Sequence, residues 1–181
     1  MQVLNLEVVK DLTGTLDSFA HGQHDLTELS ISYAPSIRGD LGSVCHCLHL
    51  RTLVLCFLEG VEGHLDDMAE LRAMRHLNIS YTAIEGPLSA LRDMVELRSL
   101  IISGLSEVTG DLGSDLSEQT HPELANVTIW GCRLLSGVHE FKDARGGSCV
   151  MDGAAYGGGP GAGAKERTVA EGAQLSSSTQ V

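Results

Sequence analysis

Aromatic and basic residues are scarce in this chain of 181 amino acids. Tryptophan occurs once, tyrosine and phenylalanine occur three times each, and 12 basic residues stand against 24 acidic ones. The formal charge of −12 disfavours a nucleic-acid partner or an anionic membrane surface. No apolar run approaches the roughly 20 residues of a membrane-spanning helix, and no secretory signal follows Met1. These absences predict a cytoplasmic protein without a membrane span.

Leucine and glycine are abundant instead, with 26 and 21 copies, but they are unevenly distributed. Residues 146–181 hold nine glycines and only four leucine, isoleucine or valine residues. Such a segment cannot bury enough apolar surface to offset the entropy of ordering its backbone. We therefore predict a flexible Gly/Ala/Ser-rich tail over residues 142–181, and a folded domain over residues 1–141 that carries the net charge.

A repeat of 23–27 residues organises the folded domain. It is seen in pairs of apolar residues that are separated by one residue, a spacing typical of strands with one buried face. The pairs are Leu4/Leu6, Leu29/Ile31, Leu53/Leu55, Leu77/Ile79, Leu100/Ile102 and Val127/Ile129. A Gly-x-Leu corner follows each of the first five pairs. The pairs and the corners stay in phase over this length, which indicates a solenoid of about five full repeats and a partial sixth.

After each corner the apolar residues change to every third position, as in Leu65, Met68, Leu71 and Met74. This spacing favours a 3₁₀ turn or a short, tight helix over a long α-helix. The corner glycine provides the backbone geometry that turns the chain between the two elements. Each repeat is therefore predicted to be a strand, a corner and a short helical turn, with its apolar stripe buried by stacking on its neighbours.

The chain resembles the leucine-rich repeat family, in the plant-like and protist type of repeat. The resemblance rests on Leu50-x-x-Leu53-x-Leu55, Met74-x-x-Leu77-x-Ile79 and Leu97-x-x-Leu100-x-Ile102, each with its Gly-x-Leu corner. It implies a curved α/β solenoid with a parallel sheet on the concave face and short helical or 3₁₀ turns on the convex face. It also implies a non-catalytic scaffold that binds a protein partner on the concave face, without a cofactor. The family's asparagine after the strand is absent, replaced by Val9, Ala34, Leu58, Thr82, Leu105 and Cys132.

A parallel sheet of these strands presents outward side chains in three columns. The first holds Val3, Glu28, Thr52, His76, Ser99 and Asn126, the second Asn5, Ser30, Val54, Asn78, Ile101 and Thr128, and the third Glu7, Ser32, Cys56, Ser80, Ser103 and Trp130. The next position carries Tyr33, Phe57 and Tyr81 in successive repeats. Aligned rigid aromatics suit interface anchors, although they could instead form a stack that only covers the sheet edge. The predicted partner-binding residues are Tyr33, Phe57, Tyr81, His76, Asn78 and Trp130.

Two other clusters could carry chemistry. Cys45, His46, Cys47 and His49 are zinc-ligand types, but Cys47 falls on the apolar every-third-residue row, and four ligands at a familiar spacing are missing. Asp66, Asp67 and Glu70 lie on one turn without converging on a pocket, as acid–base catalysis requires. Both clusters are therefore predicted to be structural, and the chain is predicted to hold no metal and no catalytic site.

Two observations leave a second function open. Asn78-Ile79-Ser80 and Asn126-Val127-Thr128 match the N-glycosylation pattern, and the first repeat begins at the N-terminus without a polar capping unit of the kind that solenoids need. The alternative is therefore a fragment of an extracellular leucine-rich-repeat, receptor-like, ligand-binding ectodomain that lacks its signal peptide.

Overall fold

The computed structural model describes residues 2–7, 12–20 and 25–145, together with the backbone of residues 149–151. Within these ranges, one strand from each repeat joins a seven-stranded parallel sheet on the concave face. Its strands, in spatial order, are β1 (Gln2–Glu7), β3 (Leu26–Ser32), β5 (Thr52–Cys56), β7 (His76–Asn78), β9 (Ser99–Ser103), β11 (Asn126–Trp130) and β13 (Cys149–Met151).

The register of this concave sheet places equivalent residues of successive repeats side by side. Val54 pairs with Ser30 on one side and with Asn78 on the other, and Leu53 pairs with Leu29 and Leu77 in the same way. Because side chains alternate between the two faces of a strand, the leucines form buried rows while their neighbours form the outward columns. The predicted parallel sheet and the predicted alignment of equivalent residues are thus confirmed.

A second parallel sheet, not predicted from the sequence, lies between the concave strand and the helical turn of each repeat. Its six described strands are β2 (Gly14–Thr15), β4 (Ile37–Asp40), β6 (Leu58–His64), β8 (Thr82–Pro87), β10 (Val108–Asp111) and β12 (Leu134–Ser136). The corner glycines lie within these strands, where Gly63 has φ of +126°. A Cβ atom at Gly63 would lie 2.8 Å from the Leu41 backbone nitrogen of the preceding repeat. Glycine therefore allows both the backbone angle and the close stacking of repeats.

Short helices complete each repeat on the convex side. The 3₁₀ helices span Leu16–Phe19, Leu41–Val44, Leu65–Met68 and Leu88–Leu91, and the fifth repeat has one α-helical turn instead, α1 (Leu112–Asp115). Side chains before four of these five helices accept a hydrogen bond from the first turn, as from Gly42 N to Asp40 Oδ1 at 2.7 Å. Such caps satisfy donors that have no partner inside a helix.

The core runs the length of the solenoid between the sheets and the helical turns. The every-third-residue row of Leu65, Met68, Leu71 and Met74 is fully buried, and each such side chain contributes roughly 1.5–3 kcal/mol through burial. Leu58, at a position where the family has asparagine, is also fully buried. Apolar packing thus replaces the asparagine ladder at this corner.

The C-terminal end carries α2 (Val138–Ala144), whose Phe141 is only 2 % exposed and packs against the last repeat. The predicted start of the tail, residue 142, lies within this helix, and β13 then pairs with β11. Residues 146–148 and 152–181, which make up most of the predicted tail, lie outside the described residues. Among the residues that are described, no helix has the length and apolar character to cross a membrane.

Candidate functional site

Four aromatic residues form one row at the carboxyl ends of the concave-sheet strands, and three of them are stacked. The Tyr33 and Phe57 ring centroids are 4.4 Å apart with 14° between their planes, and Phe57 and Tyr81 repeat the same geometry. The Trp130 ring follows at 6.3 Å from Tyr81, tilted by 47°. We call these four residues the aromatic ladder. Stacked pairs of this kind add about 0.5–1.5 kcal/mol each beyond the burial of their area.

Three residues of the aromatic ladder have their backbone in the left-handed region, which bulky residues rarely adopt. Tyr33, Phe57 and Tyr81 have φ of 55°, 56° and 56°. Each backbone N–H donates to a carbonyl of the next repeat, as from Phe57 N to Ser80 O at 3.0 Å. Left-handed backbone costs an L-residue roughly 1–2 kcal/mol, so the stacked rings and these hydrogen bonds together maintain a conformation that the residues alone would avoid.

Gly104 occupies the equivalent position in the fifth repeat and leaves a gap in the row of rings. Its φ is +73°, and a Cβ atom there would lie 2.7 Å from Cδ1 of Tyr81. The Tyr81 ring therefore packs over the Gly104 backbone, and Trp130, one position earlier in the sixth repeat, extends the ladder. A glycine in register with aromatics was the sequence signal for this arrangement.

Much of the aromatic ladder stays in contact with solvent. Tyr33 is 49 % exposed, Phe57 39 % and Trp130 43 %, while Tyr81 is half-buried. Since the flat faces of Tyr33, Phe57 and Tyr81 are stacked on one another, these rings present mainly their edges. The rings therefore leave apolar edges exposed to solvent.

The other two predicted binding residues lie on the sheet itself rather than on its edge. His76 is exposed in the first column, between Thr52 and Ser99. Asn78 is half-buried in the second column, and its Oδ1 accepts a hydrogen bond from Ser80 N at 3.2 Å. The structure thus brings Tyr33, Phe57, Tyr81 and Trp130 into one row. It places His76 and Asn78 on β7, at outward positions of the sheet.

The third column differs from the prediction because most of it is buried. Ser32, Cys56, Ser80 and Ser103 are 4–8 % exposed, although they were expected to face outward. The left-handed turn that follows these positions folds the chain back over them. Their polar groups bond to one another across repeats, as from Cys56 Sγ to Ser32 Oγ at 3.1 Å and from Ser103 N to Ser80 Oγ at 3.0 Å. The exposed members of this column are Glu7 and Trp130, at its two ends.

The cysteine and histidine cluster is divided between core and surface. Cys47 is fully buried, Cys45 is half-buried, and the His46 and His49 side chains are exposed. Burial, followed by the neighbouring Cys45 thiol, raises the pKa of Cys47, which disfavours the thiolate that a metal would need. The described part of the chain contains no group of three or more metal-ligand residues placed to share one ion.

The acidic cluster serves the helical turn on which it lies. Asp67 Oδ2 accepts a hydrogen bond from His64 N at 3.0 Å, and Asp66 N donates to His64 Nδ1 at 3.4 Å. These contacts form a reciprocal cap at the start of the 3₁₀ helix Leu65–Met68. Asp66, Asp67 and Glu70 are all exposed, so the arrangement is a solvated helix terminus.

Stacked parallel strands joined by short helical turns define the chain as a parallel solenoid. Among solved structures, the chain is similar to the crystal structure of the leucine-rich repeat ectodomain of the receptor kinase SOBIR1 from Arabidopsis thaliana. The TM-score is 0.56 at 20 % identity, over 74 % of this chain and 71 % of that one. The solenoid therefore has the leucine-rich repeat fold, as its repeats predicted. No known protein family and no curated protein matches the sequence.

Proposed function

We propose that this chain is a non-catalytic protein-binding module whose partner docks on the concave sheet and contacts the aromatic ladder. The observation that carries the proposal is the ladder itself: three bulky residues hold a costly left-handed backbone and still expose their rings. Rings that are fixed before binding lose little conformational entropy on binding, which makes them suitable anchors.

The surroundings of the aromatic ladder support this function. Four inter-strand steps separate Tyr33 from Trp130, so the ladder is about 19 Å long at roughly 4.8 Å per step. Beside it, the outward side chains of the second column are small or uncharged, including Val54, Asn78 and Ile101. A partner can therefore cover this surface without desolvating many charges, a cost that weakens interfaces.

The absence of catalysis and of a cofactor is part of the proposal. The thiols of Cys47 and Cys132 have pKa values raised mainly by burial, which disfavours the nucleophilic thiolate. An enzyme with a metal at residues 45–49 is the competing hypothesis. Metal analysis of the full chain, purified without chelator, tests it directly, and stoichiometric zinc or iron would contradict our proposal.

The experiment that tests binding is affinity capture with the full chain and three variants: Tyr33→Asn, Phe57→Asn and Tyr81→Asn. Asparagine tolerates the left-handed region better than other non-glycine residues, so each variant removes a ring and keeps the backbone. Leu48→Ala is the matched control, because Leu48 is 54 % exposed and lies beyond the opposite end of β5.

We expect the native chain and Leu48→Ala to capture the same proteins in equal amounts. The ladder variants should bind these proteins about tenfold more weakly or lose them. This corresponds to the 1.4 kcal/mol or more that a binding anchor contributes. The loss of binding should exceed any loss of thermal stability. Equal capture by all four variants would show that the aromatic ladder is structural only.

Two compartments remain as competing proposals. We favour the inside of the cell, since Cys47, Cys56 and Cys132 are free, buried thiols, as is usual in a reducing environment. The receptor-like alternative is supported by the ectodomain of similar fold and by Asn126, which is exposed within an Asn-Val-Thr pattern. Mass analysis of the natural protein before and after glycosidase treatment decides between them, because a glycan on Asn78 or Asn126 requires the secretory route.

A further inference from the structure

A buried histidine connects the fourth repeat to the fifth. His121 is fully buried in the loop between α1 and β11, and its Nε2 lies 3.0 Å from the carbonyl oxygen of Leu91. Because a carbonyl only accepts, Nε2 carries the hydrogen and donates it. Nδ1 lies 3.0 Å from the Thr120 hydroxyl oxygen, which itself lies 3.1 Å from the carbonyl oxygen of Ser117. Both ring nitrogens therefore have a partner inside the protein, and the side chain is shielded from water.

The same loop is attached to the C-terminal helix by an arginine. The Arg145 guanidinium follows α2 and donates to three carbonyls, those of Leu116 at 3.0 Å, His121 at 2.8 Å, and Leu124. It also lies over the Phe141 ring, 5.1 Å from the ring centroid. Together, His121 and Arg145 connect the loop to both of its neighbours, and we call this pair the terminal clamp.

The charges around the terminal clamp oppose protonation of His121. Burial lowers the pKa of His121, the hydrogen bond to Leu91 raises it, and the Arg145 guanidinium lowers it again, with a net decrease. Asp115 on α1 is half-buried, and its Oδ2 accepts a hydrogen bond from Asp111 N at 2.9 Å. The other charged or titratable groups on the loop, on the neighbouring 3₁₀ helix and on α2 are exposed: Glu118, Glu123, Arg92, Asp93, His139, Glu140, Lys142 and Asp143. Solvent screens these groups, and Glu123 already pairs with Arg98 at 3.6 Å.

We propose that the terminal clamp is an acid-sensitive switch, in which protonation of His121 loosens the docking of α2 on the last repeat. A second positive charge would then be buried beside Arg145, where water cannot screen it. Release of α2 uncovers Phe141 and the end of the core. Because each repeat of a solenoid contacts only its neighbours, the terminal unit can open while the inner repeats remain folded.

The sign of the effect follows from proton linkage. In the opened form His121 titrates near its ordinary pKa of about 6.5, whereas in the closed form its pKa is lower. The opened form therefore binds the proton more readily. Closure is complete above about pH 6.5 and weakens as the pH falls from there towards the pKa of His121 in the closed form. Between pH 7.5 and 5.5 the opening constant should rise by up to about tenfold.

Hydrogen exchange measured by mass spectrometry on the full chain tests this proposal. We expect residues 112–124 and 138–145 to lose protection at pH 5.5 relative to pH 7.5, after correction for intrinsic exchange, while residues 52–56 keep theirs. His121→Gln, which stays neutral, should abolish the difference. His139→Gln is the matched control, because His139 is exposed on α2, and it should behave as the native chain.

Three results would overturn the proposal: unchanged protection between the two pH values, the same loss in His121→Gln, or equal loss in every repeat. If α2 of the His121→Gln variant does not dock on the last repeat even at pH 7.5, an NMR titration of the His121 imidazole in the native chain tests the proposal instead. A native pKa at or above about 6.5 would show that the closed form does not resist protonation.

Discussion

Because the backbone at Phe57 is left-handed, we expect glycine to be less destabilising than alanine at this position. In a strand, glycine is normally worse than alanine by roughly 0.5–1 kcal/mol, because it loses more backbone entropy on folding. Phe57 has φ of 56°, an angle that glycine adopts freely and alanine does not. We therefore expect Phe57→Gly to be more stable than Phe57→Ala, although both variants lose the stacking with Tyr33 and Tyr81.

The magnitude follows from two opposing terms. Alanine in the left-handed region costs about 1–2 kcal/mol. Glycine avoids this cost but gives the unfolded chain extra freedom, which costs about 0.4–1 kcal/mol. The difference should favour Phe57→Gly by about 0.5–1 kcal/mol. Urea unfolding measures this, provided that both variants have the same dependence on urea concentration.

Val54 provides the control: it lies three residues earlier, on β5, where the backbone is extended and the side chain is half-buried. There the usual order should hold, with Val54→Gly less stable than Val54→Ala by about 0.5–1 kcal/mol. If glycine is worse than alanine by the same margin at both positions, the left-handed backbone at Phe57 contributes no strain and our account of the aromatic ladder is wrong.

Two further predictions concern the core and a helix cap. Leu77→Ala should lower the free energy of unfolding by about 2–5 kcal/mol, since Leu77 is 1 % exposed. Val95→Ala, at a 52 % exposed position, should change it by no more than about 0.5 kcal/mol, and a Leu77 loss that small would refute the buried register. Asp111→Ala should cost about 1 kcal/mol at pH 7, because Asp111 accepts from Ser114 N at 3.0 Å. That bond and the Ser136 hydroxyl lower the pKa of Asp111 below its ordinary value of 3.8. The contribution of Asp111 to stability is therefore fully present above pH 3.8, and it disappears as the pH falls through the lower pKa of the folded state. Urea unfolding at pH 7, 4 and 3 should therefore show the gap between native chain and variant closing in acid; a gap that is constant over this range would contradict the cap.

The concave sheet was predictable because its pattern is regular over a long stretch. Pairs such as Leu53/Leu55 recur with nearly constant spacing, and a strand period of two then determines which neighbours point outward. The same regularity predicted the 3₁₀ turns from every-third-residue rows. Stacking requires each repeat to have the same structure as its neighbours, so the register assigned to one repeat constrains the register of all the others.

The second sheet and the aromatic ladder's backbone were not predictable by the same means. Strands such as β2 and β12 are only two or three residues long, too short to show a period, and the corner glycines within several of these strands weaken any strand signal. Left-handed backbone is least expected at tyrosine and phenylalanine. It is supported by contacts between repeats, as in the bond from Phe57 N to Ser80 O. The one sequence signal for it is Gly104 at the equivalent position of the fifth repeat, and this signal is seen only when the repeats are aligned.

The terminal clamp was missed for a related reason. His121 lies 30 residues from Leu91, its partner through Nε2, and Arg145 lies 24 residues from the His121 carbonyl. Neither residue belongs to the repeating pattern, and the predicted tail boundary at residue 142 assigned Arg145 to the tail. Features at the end of a solenoid depart from the repeat because they must cover a core face that has no further neighbour.

The position of Trp130 makes the proposed binding surface observable without a label. It is the only tryptophan of the chain, it is 43 % exposed, and it stands 6.3 Å from Tyr81 at the end of the aromatic ladder. Indole emission moves to shorter wavelength when water is displaced from the ring. A partner that covers the ladder should therefore produce a blue shift from this single fluorophore, while unfolding should move the emission the opposite way, so one spectrum separates occupancy from denaturation.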